Sequence, residues 1–409
     1  MEAKKLIAIA AIAIGEVLTA FAQSWTQTAS PSFTWFSVAS SADGSKLAGA
    51  SYMDGPHPGG SIYLSTNFGV GWNHTSAPSN AWVSIASSAD GTKLAAVSRP
   101  GPIFTSTNSG LTWISNGAPN INWYFIASSA DGATLLATAD ERPLLPTAIG
   151  AVYTSTNSGL TWVSNSLPVS VPYWFATAIS ADGARMVVSS QYGHICLSTN
   201  SGATWQASAS VPKLVWESLA SSADGRKLVV VSQLQAPVSG GSIFTSSDGG
   251  ATWISNNAPN LRWYGVASSA DGNTLLASGY SSSTGYCLYF STNAGEVWNQ
   301  GAAGLPFGTI SMSADGCRSA GVFGGGISGS SGQIYTSYST PSPVLHLSAP
   351  PNLNLSWTIP STNFVLQQSS DLANWSTVTN PPALNLVNLQ NQVAPPLSAS
   401  NAFFRLMNP

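Results

Sequence analysis

An eight-residue phrase occurs six times in this chain. Each copy has Ser, then Asn or Asp two residues later, Gly two residues further on and Trp three after that. The copies are STNFGVGW (65–72), STNSGLTW (106–113), STNSGLTW (155–162), STNSGATW (198–205), SSDGGATW (246–253) and STNAGEVW (291–298). Repetition of this kind indicates an array of equivalent structural units.

The chemistry of the phrase predicts a hairpin turn. A segment with an aromatic residue, such as IYL at 62–64, runs into it. The Asn or Asp side chain can hydrogen-bond to the backbone of its own turn, and the Gly can adopt a positive φ angle. We therefore expect a strand, a turn and a returning strand, with the Trp ring lying over the turn.

A second phrase, Ser-Ala-Asp-Gly, alternates with the first and occurs seven times. A large aromatic residue stands eight positions before each of its Asp residues. The pairs are Trp35 and Asp43, Trp82 and Asp90, Trp123 and Asp131, Trp174 and Asp182, Trp216 and Asp224, Trp263 and Asp271, and Phe307 and Asp315. Short β-prone segments flank both phrases, so one unit is predicted to hold four antiparallel strands. Intervals between 41 residues (Asp90 to Asp131) and 51 residues (Asp131 to Asp182) are typical of propeller blades.

The two ends of the array complement each other. The last unit starts at Phe307 but lacks the Gly and Trp of the eight-residue phrase, so it provides three strands. Trp25 precedes Trp35 by the ten residues that separate Trp113 from Trp123. We expect residues 24–29 to complete the last unit and to close a seven-bladed β-propeller without an open sheet edge.

These repeats resemble the Asp-box, or bacterial neuraminidase, repeats of sialidase-like propellers. The resemblance covers about residues 24–340 and implies the propeller fold. It implies little about function, because the motif forms a turn and recurs in enzymes and non-enzymes alike. Five of the six copies carry Asn where the family usually has Asp, which argues against a metal or anion role for the turn.

Composition suggests three segments. Lys4 and Lys5, an apolar run to Ile14 and a small-residue site ending at Ala22 are typical of a cleaved secretory signal peptide (1–22). The propeller is expected at 23–340. After Pro341 both phrases stop, and the strand-like segments 344–347, 353–359, 364–368, 375–379 and 402–406 predict a small β-sandwich-like domain (341–409) for attachment or sorting. The expected product is an exported monomer with no other membrane span.

Charge and metal-ligating residues exclude some function classes. Charged residues make up 7% of the chain and the net charge is -3, so no basic field is available for nucleic acid. The three cysteines fall on separate units and are predicted to be small buried residues. The four histidines are scattered, and we expect neither a metal site nor a cofactor.

The two faces of the predicted propeller differ. One carries both repeated turns, and we call it the turn face. The other, the loop-rich face, carries all the variation in length, in the loops 51–61, 138–150, 232–242, 278–285 and 324–332. Converging variable loops are where propellers and other scaffolds place binding sites, so any site is expected there.

A sialidase would hold its substrate carboxylate with three arginines and would use a Tyr/Glu nucleophile pair with an Asp acid, as the resemblance implies. Arg99, Arg142 and Arg262 lie near the loop-rich face. Arg185, Arg226 and Arg318 follow Ser-Ala-Asp-Gly turns and are interpreted as solvated turn residues. The Phe/Tyr-Arg-Ile-Pro segment of that family is absent, which argues against sialidase activity.

A two-carboxylate glycosidase would need an Asp/Glu pair across a cleft. The catalytic candidates outside the repeated turns are Asp54, Asp140, Glu141 and Glu217. Glu217 is unusual because other residue types follow the aromatic in the other units. An exposed loop carboxylate is the simpler interpretation of each. The seven repeated Asp residues have turn-forming roles and are set aside.

Aromatic residues support a binding function better. The strictly recurring Trp set is expected to pack between blades, whereas its irregular neighbours are better placed to stack on a ligand. Candidate ligand-binding residues are Phe36, Tyr124, Phe175, Tyr264, Arg142 and Arg262. The sequence thus favours a secreted binding module for a glycan or a cell-surface protein, with a glycoside hydrolase on the same face as the alternative.

Overall fold

The computed structural model describes residues 24–54, 59–115, 117–140, 150–233, 241–323, 332–339, 345–347, 354–358, 365–380, 382–385, 389–394 and 403–407. Within these ranges all regular structure is β-strand and none is helix, which confirms the all-β prediction. Consequently the described residues contain no helix that could span a membrane. The predicted signal peptide lies outside the described residues.

Strand β1 (Trp25–Gln27) comes first and is followed by six four-stranded antiparallel sheets with strands in chain order. Sheet one holds β2 (Thr34–Ser40), β3 (Leu47–Met53), β4 (Ile62–Ser65) and β5 (Asn73–His74). Sheet two holds β6 (Trp82–Ser87), β7 (Leu94–Ser98), β8 (Ile103–Ser106) and β9 (Ile114–Ser115). Sheet three holds β10 (Asn122–Ser128), β11 (Leu135–Asp140), β12 (Ala151–Ser155) and β13 (Val163–Ser164).

Sheet four holds β14 (Ala176–Ile179), β15 (Met186–Ser189), β16 (Ile195–Ser198) and β17 (Gln206–Ala207). Sheet five holds β18 (Trp216–Ser221), β19 (Leu228–Ser232), β20 (Ile243–Ser246) and β21 (Ile254–Ser255). Sheet six holds β22 (Arg262–Ser268), β23 (Leu275–Ser281), β24 (Gly285–Ser291) and β25 (Asn299–Ala303). Sheet seven holds β26 (Thr309–Met312), β27 (Arg318–Val322), β28 (Tyr335–Tyr338) and, at its edge, β1.

These sheets form a ring with their first strands innermost. Each first strand contacts the first strands of both neighbouring sheets, from β2 round to β26 and from β26 back to β2. The alanine of each Ser-Ala-Asp-Gly turn donates its N–H to the carbonyl of the alanine in the next sheet, at 2.7–2.8 Å. These residues are Ala42, Ala89, Ala130, Ala181, Ala223, Ala270 and Ala314, and the last donates to the first. This radial arrangement of antiparallel sheets is that of a β-propeller.

The edge of sheet seven is covered by the N-terminal strand. β1 pairs antiparallel with β28, and Trp25 lies opposite Ser337 in the register. The Thr28 N–H extends the pairing by donating to the carbonyl of Ile334 at 2.9 Å. The ring of Trp25 packs on Phe307 with centroids 4.8 Å apart. Sheet seven therefore presents paired backbone groups on this side instead of an open edge.

The recurring aromatics fill the spaces between sheets. Six Trp residues and Phe307 are at most 1% exposed. Trp82 of sheet two, for example, packs in one cluster with Ala48, Ala50 and Ile62 of sheet one. Burying a large ring at each junction removes apolar surface from water and so stabilises the contact between neighbouring sheets. This location agrees with the interpretation of the recurring Trp set as core.

The eight-residue phrase forms the expected turn. In the third copy Asn157 Oδ1 accepts the N–H of Thr161 at 2.9 Å, and Ser155 Oγ accepts the N–H of Gly159 at 2.9 Å. Gly159 has φ 83°, and the preceding Ser158 also has a positive φ, 57°, which the sequence analysis did not anticipate. In equivalent copies the Trp ring lies over the turn, as in the 3.0 Å bond from Trp205 Nε1 to the carbonyl of Gly202.

Two substitutions in this turn should differ in their effect on the free energy of unfolding. Gly159→Val is expected to lower the free energy of unfolding by about 1 to 3 kcal/mol, because a β-branched residue is strained at positive φ. Asn157→Asp is expected to change it by less than about 0.5 kcal/mol. In the natural Asp copy, hydrogen bonds from the side chain and backbone of Thr252 lower the pKa of Asp248 to about 2, so the carboxylate suits the turn. Chemical denaturation measures the free energy of unfolding of both variants. If calcium stabilised Asn157→Asp, the motif would not be purely structural.

Basic residues after the Ser-Ala-Asp-Gly turns link neighbouring sheets. A Cβ at Gly225 would lie 2.7 Å from the Cβ of Arg185, so the arginine stem packs directly on the next turn. Arg318 Nη1 donates to the carbonyl of Asp43 at 3.1 Å across the junction of sheets seven and one. Their interpretation as solvated residues is therefore wrong, since both are half-buried; Arg226 is exposed as expected.

Two further sheets lie in the C-terminal part. One has the order β29 (His346–Leu347), β30 (Leu355–Thr358), β34 (Gln390–Val393) and β33 (Ala383–Asn385), and the other the order β32 (Ser376–Thr377), β31 (Val365–Ser369) and β35 (Phe403–Met407). Strands β33 and β34 lie outside the predicted segments, and β34 consists mainly of Asn and Gln. Leu389, next to β34, packs against alanines of the Ser-Ala-Asp-Gly turns on the turn face.

Candidate functional site

The first strand of most sheets begins with a β-bulge on the loop-rich face. The pairing register shifts directly after the recurring Trp, as between Trp123 and Phe125 in sheet three and between Trp216 and Ser218 in sheet five. The residue between them is left out of the ladder, and a bulge of this kind redirects its side chain. The residues that follow the aromatic in the seven sheets are Phe36, Val83, Tyr124, Phe175, Glu217, Tyr264 and Gly308. Phe175 and Gly308 occupy this position without a register shift, and their N–H groups donate to the second strand.

This ring of seven residues, here called the bulge ring, surrounds the mouth of the central channel. It lies at the opposite end of the first strands from the Ser-Ala-Asp-Gly turns. Its aromatic members, Phe36, Tyr124, Phe175 and Tyr264, are each half-buried. Four of the six predicted ligand-binding residues therefore occupy equivalent positions at the loop-rich end of the first strands, although they belong to separate aromatic groups.

One aromatic cluster spans sheets three and four. Tyr124 lies 5.2 Å from Phe175 and 6.0 Å from Tyr173, measured between ring centroids. Tyr173 in turn meets Tyr192, which is 50% exposed, at 5.3 Å. Arg99 stacks over Tyr124 at 4.3 Å and donates from Nη2 to the phenol oxygen at 2.9 Å. The cluster presents a broad aromatic surface with a fixed cation at its rim.

A second aromatic cluster lies across the mouth in sheet six. The ring of Tyr264 is 6.4 Å from that of Tyr286, which is 4.9 Å from that of Tyr280. The guanidinium of Arg262 lies 5.6 Å from the centroid of Tyr264, and its Nη2 donates to Gln233 Oε1 at 3.2 Å. The two clusters thus repeat one combination, an arginine stacked on the tyrosine of the bulge ring.

Glu217 lies between the two clusters in sequence order and is buried, with 8% of its surface exposed. Gln191 Nε2 donates to its Oε2 at 3.1 Å. Burial raises the pKa of Glu217 to about 7, against the lowering effects of hydrogen bonds from Gln191 and Gln233 and of the charge of Arg262. The simpler interpretation of Glu217 as an exposed loop carboxylate is therefore wrong: it is a buried strand residue that titrates near neutral pH.

The other sequence candidates are more dispersed. Phe36 packs against Tyr52 at 5.0 Å on the side of sheet one. Asp54 accepts a hydrogen bond from Ser51 close to its own strand. Asp140 ends β11, and its side chain is outside the described part of the structure, as are Glu141 and Arg142. Among the described residues no group of three His, Cys, Asp or Glu side chains could hold a metal ion.

Sequence reasoning missed the residues that complete both clusters. They come from the loops and strand ends next to the bulge ring and are Gln191, Tyr192, Gln233, Tyr280 and Tyr286. The only available signal was their position, because each lies at the loop-rich end of a second or third strand. Their residue types vary from unit to unit, so the repeat itself does not single them out.

Comparisons with known proteins support the fold. No protein-family model and no curated protein sequence matches the chain. A structure of YCF48 bound to D1 peptide is similar with a TM-score of 0.55 and 14% identity, over 79% of this chain and 99% of that one. The β-propeller domain of Cps50 (Swd1) from Myceliophteria thermophila has a TM-score of 0.57 and 16% identity, over 78% and 100%. The GH74 xyloglucanase from Xanthomonas campestris has a TM-score of 0.57 and 15% identity, over 82% of this chain and 59% of the xyloglucanase.

At these identities the likeness concerns the fold alone, and it establishes a β-propeller. One similar structure holds a peptide and another is named for activity on xyloglucan. The fold alone does not fix a ligand class, so the function is argued from the residues of the bulge ring.

Proposed function

We propose that this protein is a secreted, seven-bladed Asp-box propeller that binds glycans through its loop-rich face. The observation that carries the proposal is the set of half-buried aromatic residues at the channel mouth. Ligand sites are usually lined by apolar and aromatic side chains with a small number of polar groups placed around them. The C-terminal domain has an attachment or sorting role in this proposal, and the protein acts as an exported monomer.

The chemistry of the surroundings favours a sugar over a charged partner. Charged residues make up only 7% of the chain, and beside Arg99, Arg262 and Glu217 the described polar groups next to the aromatic rings are amides and phenols. Such groups pair well with hydroxyls, while the rings provide flat apolar surfaces for the faces of sugar rings. A protein partner is the competing ligand class and is tested in the same experiment.

A second candidate function is glycoside hydrolysis on the same face. The observation in its favour is Glu217, which is ionisable near neutral pH and close enough to Tyr264 to affect the pKa of its phenol. A hydrolase would also need a second carboxylate within reach of the bond that is cleaved. Loss of measurable turnover in Glu217→Gln would assign the chemistry to this residue, whereas absence of turnover in the wild type supports a binding module.

Removing either tyrosine of the bulge ring should weaken binding without unfolding the protein. Tyr124→Ala and Tyr264→Ala each remove a stacking surface but leave the fully buried Trp rings of the junctions between sheets in place. We expect each to raise the Kd for oligosaccharide about two- to tenfold. The assay is calorimetric titration with cellohexaose, xylohexaose, mannohexaose and chitohexaose, beside a fluorogenic glycoside panel and a peptide array.

Tyr338→Ala is the matched control, because Tyr338 is 49% exposed and lies beside Arg318, next to the turn face. It should bind like the wild type. If all three variants bind equally well, the site is not on the loop-rich face. If only peptides bind, the partner is a protein and the glycan proposal is wrong.

A further inference from the structure

Glu217 is the one carboxylic acid in the bulge ring, and it sits in a hydrogen-bonded chain. Arg262 donates to the amide oxygen of Gln233 at 3.2 Å. The Gln233 amide nitrogen can therefore donate a hydrogen bond to the carboxyl of Glu217. Gln191, two residues beyond the end of β15 in sheet four, donates to the same carboxyl at 3.1 Å. Both glutamines therefore orient their NH₂ groups toward Glu217.

The buried carboxyl lowers the stability of the folded protein, and packing alone does not explain why it is there. A buried carboxyl that ionises near neutral pH makes the folded state less stable at that pH than an amide or apolar residue would. The equivalent positions in the other sheets carry uncharged residues, so the fold itself has no requirement for a carboxyl there. Buried, ionisable groups with oriented partners occur preferentially at functional sites.

The neighbours of Glu217 suggest what it recognises. The charged and titratable groups in this region are Arg262 and Tyr264 of β22, Tyr280 of β23 and Tyr286 of β24. A sugar ring stacked on Tyr264 would direct its hydroxyls sideways, toward the adjacent position of the bulge ring. A carboxylate is the strongest acceptor for hydroxyls in proteins, and its two oxygens can take two neighbouring O–H groups.

We propose that Glu217, positioned by Gln191 and Gln233, recognises two neighbouring hydroxyl groups of a neutral sugar, and that binding of this sugar releases a proton from the carboxyl. The inference rests on the proposed glycan-binding function and adds the ligand class and the residue that selects it. Hydroxyl donors stabilise the charged form of the carboxyl, so a sugar bound in this way shifts the group toward ionisation. Because burial raises the pKa of Glu217 to about 7, up to about one proton should leave per sugar bound, and more at pH 6 than at pH 8.

Calorimetry with the four hexasaccharides tests this directly. Titrations at pH 7 in phosphate and in Tris, which differ in ionisation enthalpy, give the number of protons released. For the tightest-binding hexasaccharide, wild-type affinity should rise about tenfold between pH 6 and pH 8, since only the ionised form binds. Glu217→Gln should release no proton, bind at least about tenfold more weakly at pH 8 and show no dependence on pH.

Glu296→Gln is the control for the charge change, because Glu296 is exposed beside a repeated turn. It should behave as the wild type. If an oligosaccharide binds without proton release, with proton uptake, or equally well to Glu217→Gln, this inference is wrong while the proposed function stands. If none of the hexasaccharides binds, the proposed glycan-binding function fails, and this inference fails with it.

Discussion

Removal of residues 24–30 is expected to lower the free energy of unfolding by more than about 3 kcal/mol and to cause aggregation. The deletion removes the pairing of β1 with β28 and the bond from the Ile334 N–H to Ser30 Oγ at 2.8 Å. It also removes the contact of Trp25 with Phe307 and the bond from Trp72 Nε1 to Thr28 Oγ1 at 3.2 Å. An unpaired strand at the edge of sheet seven would then be free to pair with other molecules.

A protein that begins at residue 23 is the matched comparison, because it keeps the whole of β1. Thermal unfolding and light scattering of the two forms separate loss of stability from association. We expect the melting temperature to fall by at least about 5 °C in the shorter form. A folded, monomeric deletion protein with an unchanged melting temperature would contradict closure of the ring by β1.

Between pH 4 and pH 8 the wild type is expected to lose about 3 kcal/mol of unfolding free energy relative to Glu217→Gln. Burial raises the pKa of Glu217 from its usual 4.5 to about 7. In the folded wild type the carboxyl therefore keeps its proton in the window between these values, while the unfolded chain loses it. Stability of the wild type declines as the pH rises through this window, because the folded state binds more protons than the unfolded one. The variant has no proton to lose here.

Urea denaturation of both proteins at pH 4 and pH 8 measures this effect. Their difference in unfolding free energy should grow by about 3 kcal/mol in favour of the variant between the two pH values. Any hydrogen-bonding cost of the new amide is present at both pH values and cancels. Glu296→Gln, an exposed carboxylate change, should show almost no such growth. A parallel pair of pH profiles for wild type and Glu217→Gln would show that Glu217 ionises normally.

The fold was predictable because its signals are local and repeated. Turn chemistry within each eight-residue phrase places Asn157 and Gly159 without help from the rest of the molecule. The missing strand of the last unit and the extra Trp25 likewise predicted that the N-terminal segment would be needed there. β34 was missed because its Asn and Gln residues lack the alternation on which strand prediction depends, and β33 was missed because it is only three residues long.

The site was predictable only in part, because its properties arise between sheets. Sequence comparison among units singled out Tyr124, Glu217 and Tyr264 as irregular, but the bulges that redirect them depend on pairing with the second strand. Burial of Glu217 could not be read from its own segment, since it depends on Gln191 from another sheet. The hydrogen bonds between the alanines of the Ser-Ala-Asp-Gly turns could not be predicted either, because they form between sheets.

The most direct test of glycan binding at the loop-rich face is hydrogen exchange of the protein with and without the tightest-binding hexasaccharide. The account predicts slower exchange, on binding, in peptides that contain residues 122–125, 173–176, 216–218 and 262–265, which hold the aromatic residues and Glu217 at the channel mouth. Peptides from the repeated turns, such as 155–162, and from β31 should be unchanged. Protection confined to the turn face or to the C-terminal strands would place the binding site elsewhere and contradict the account.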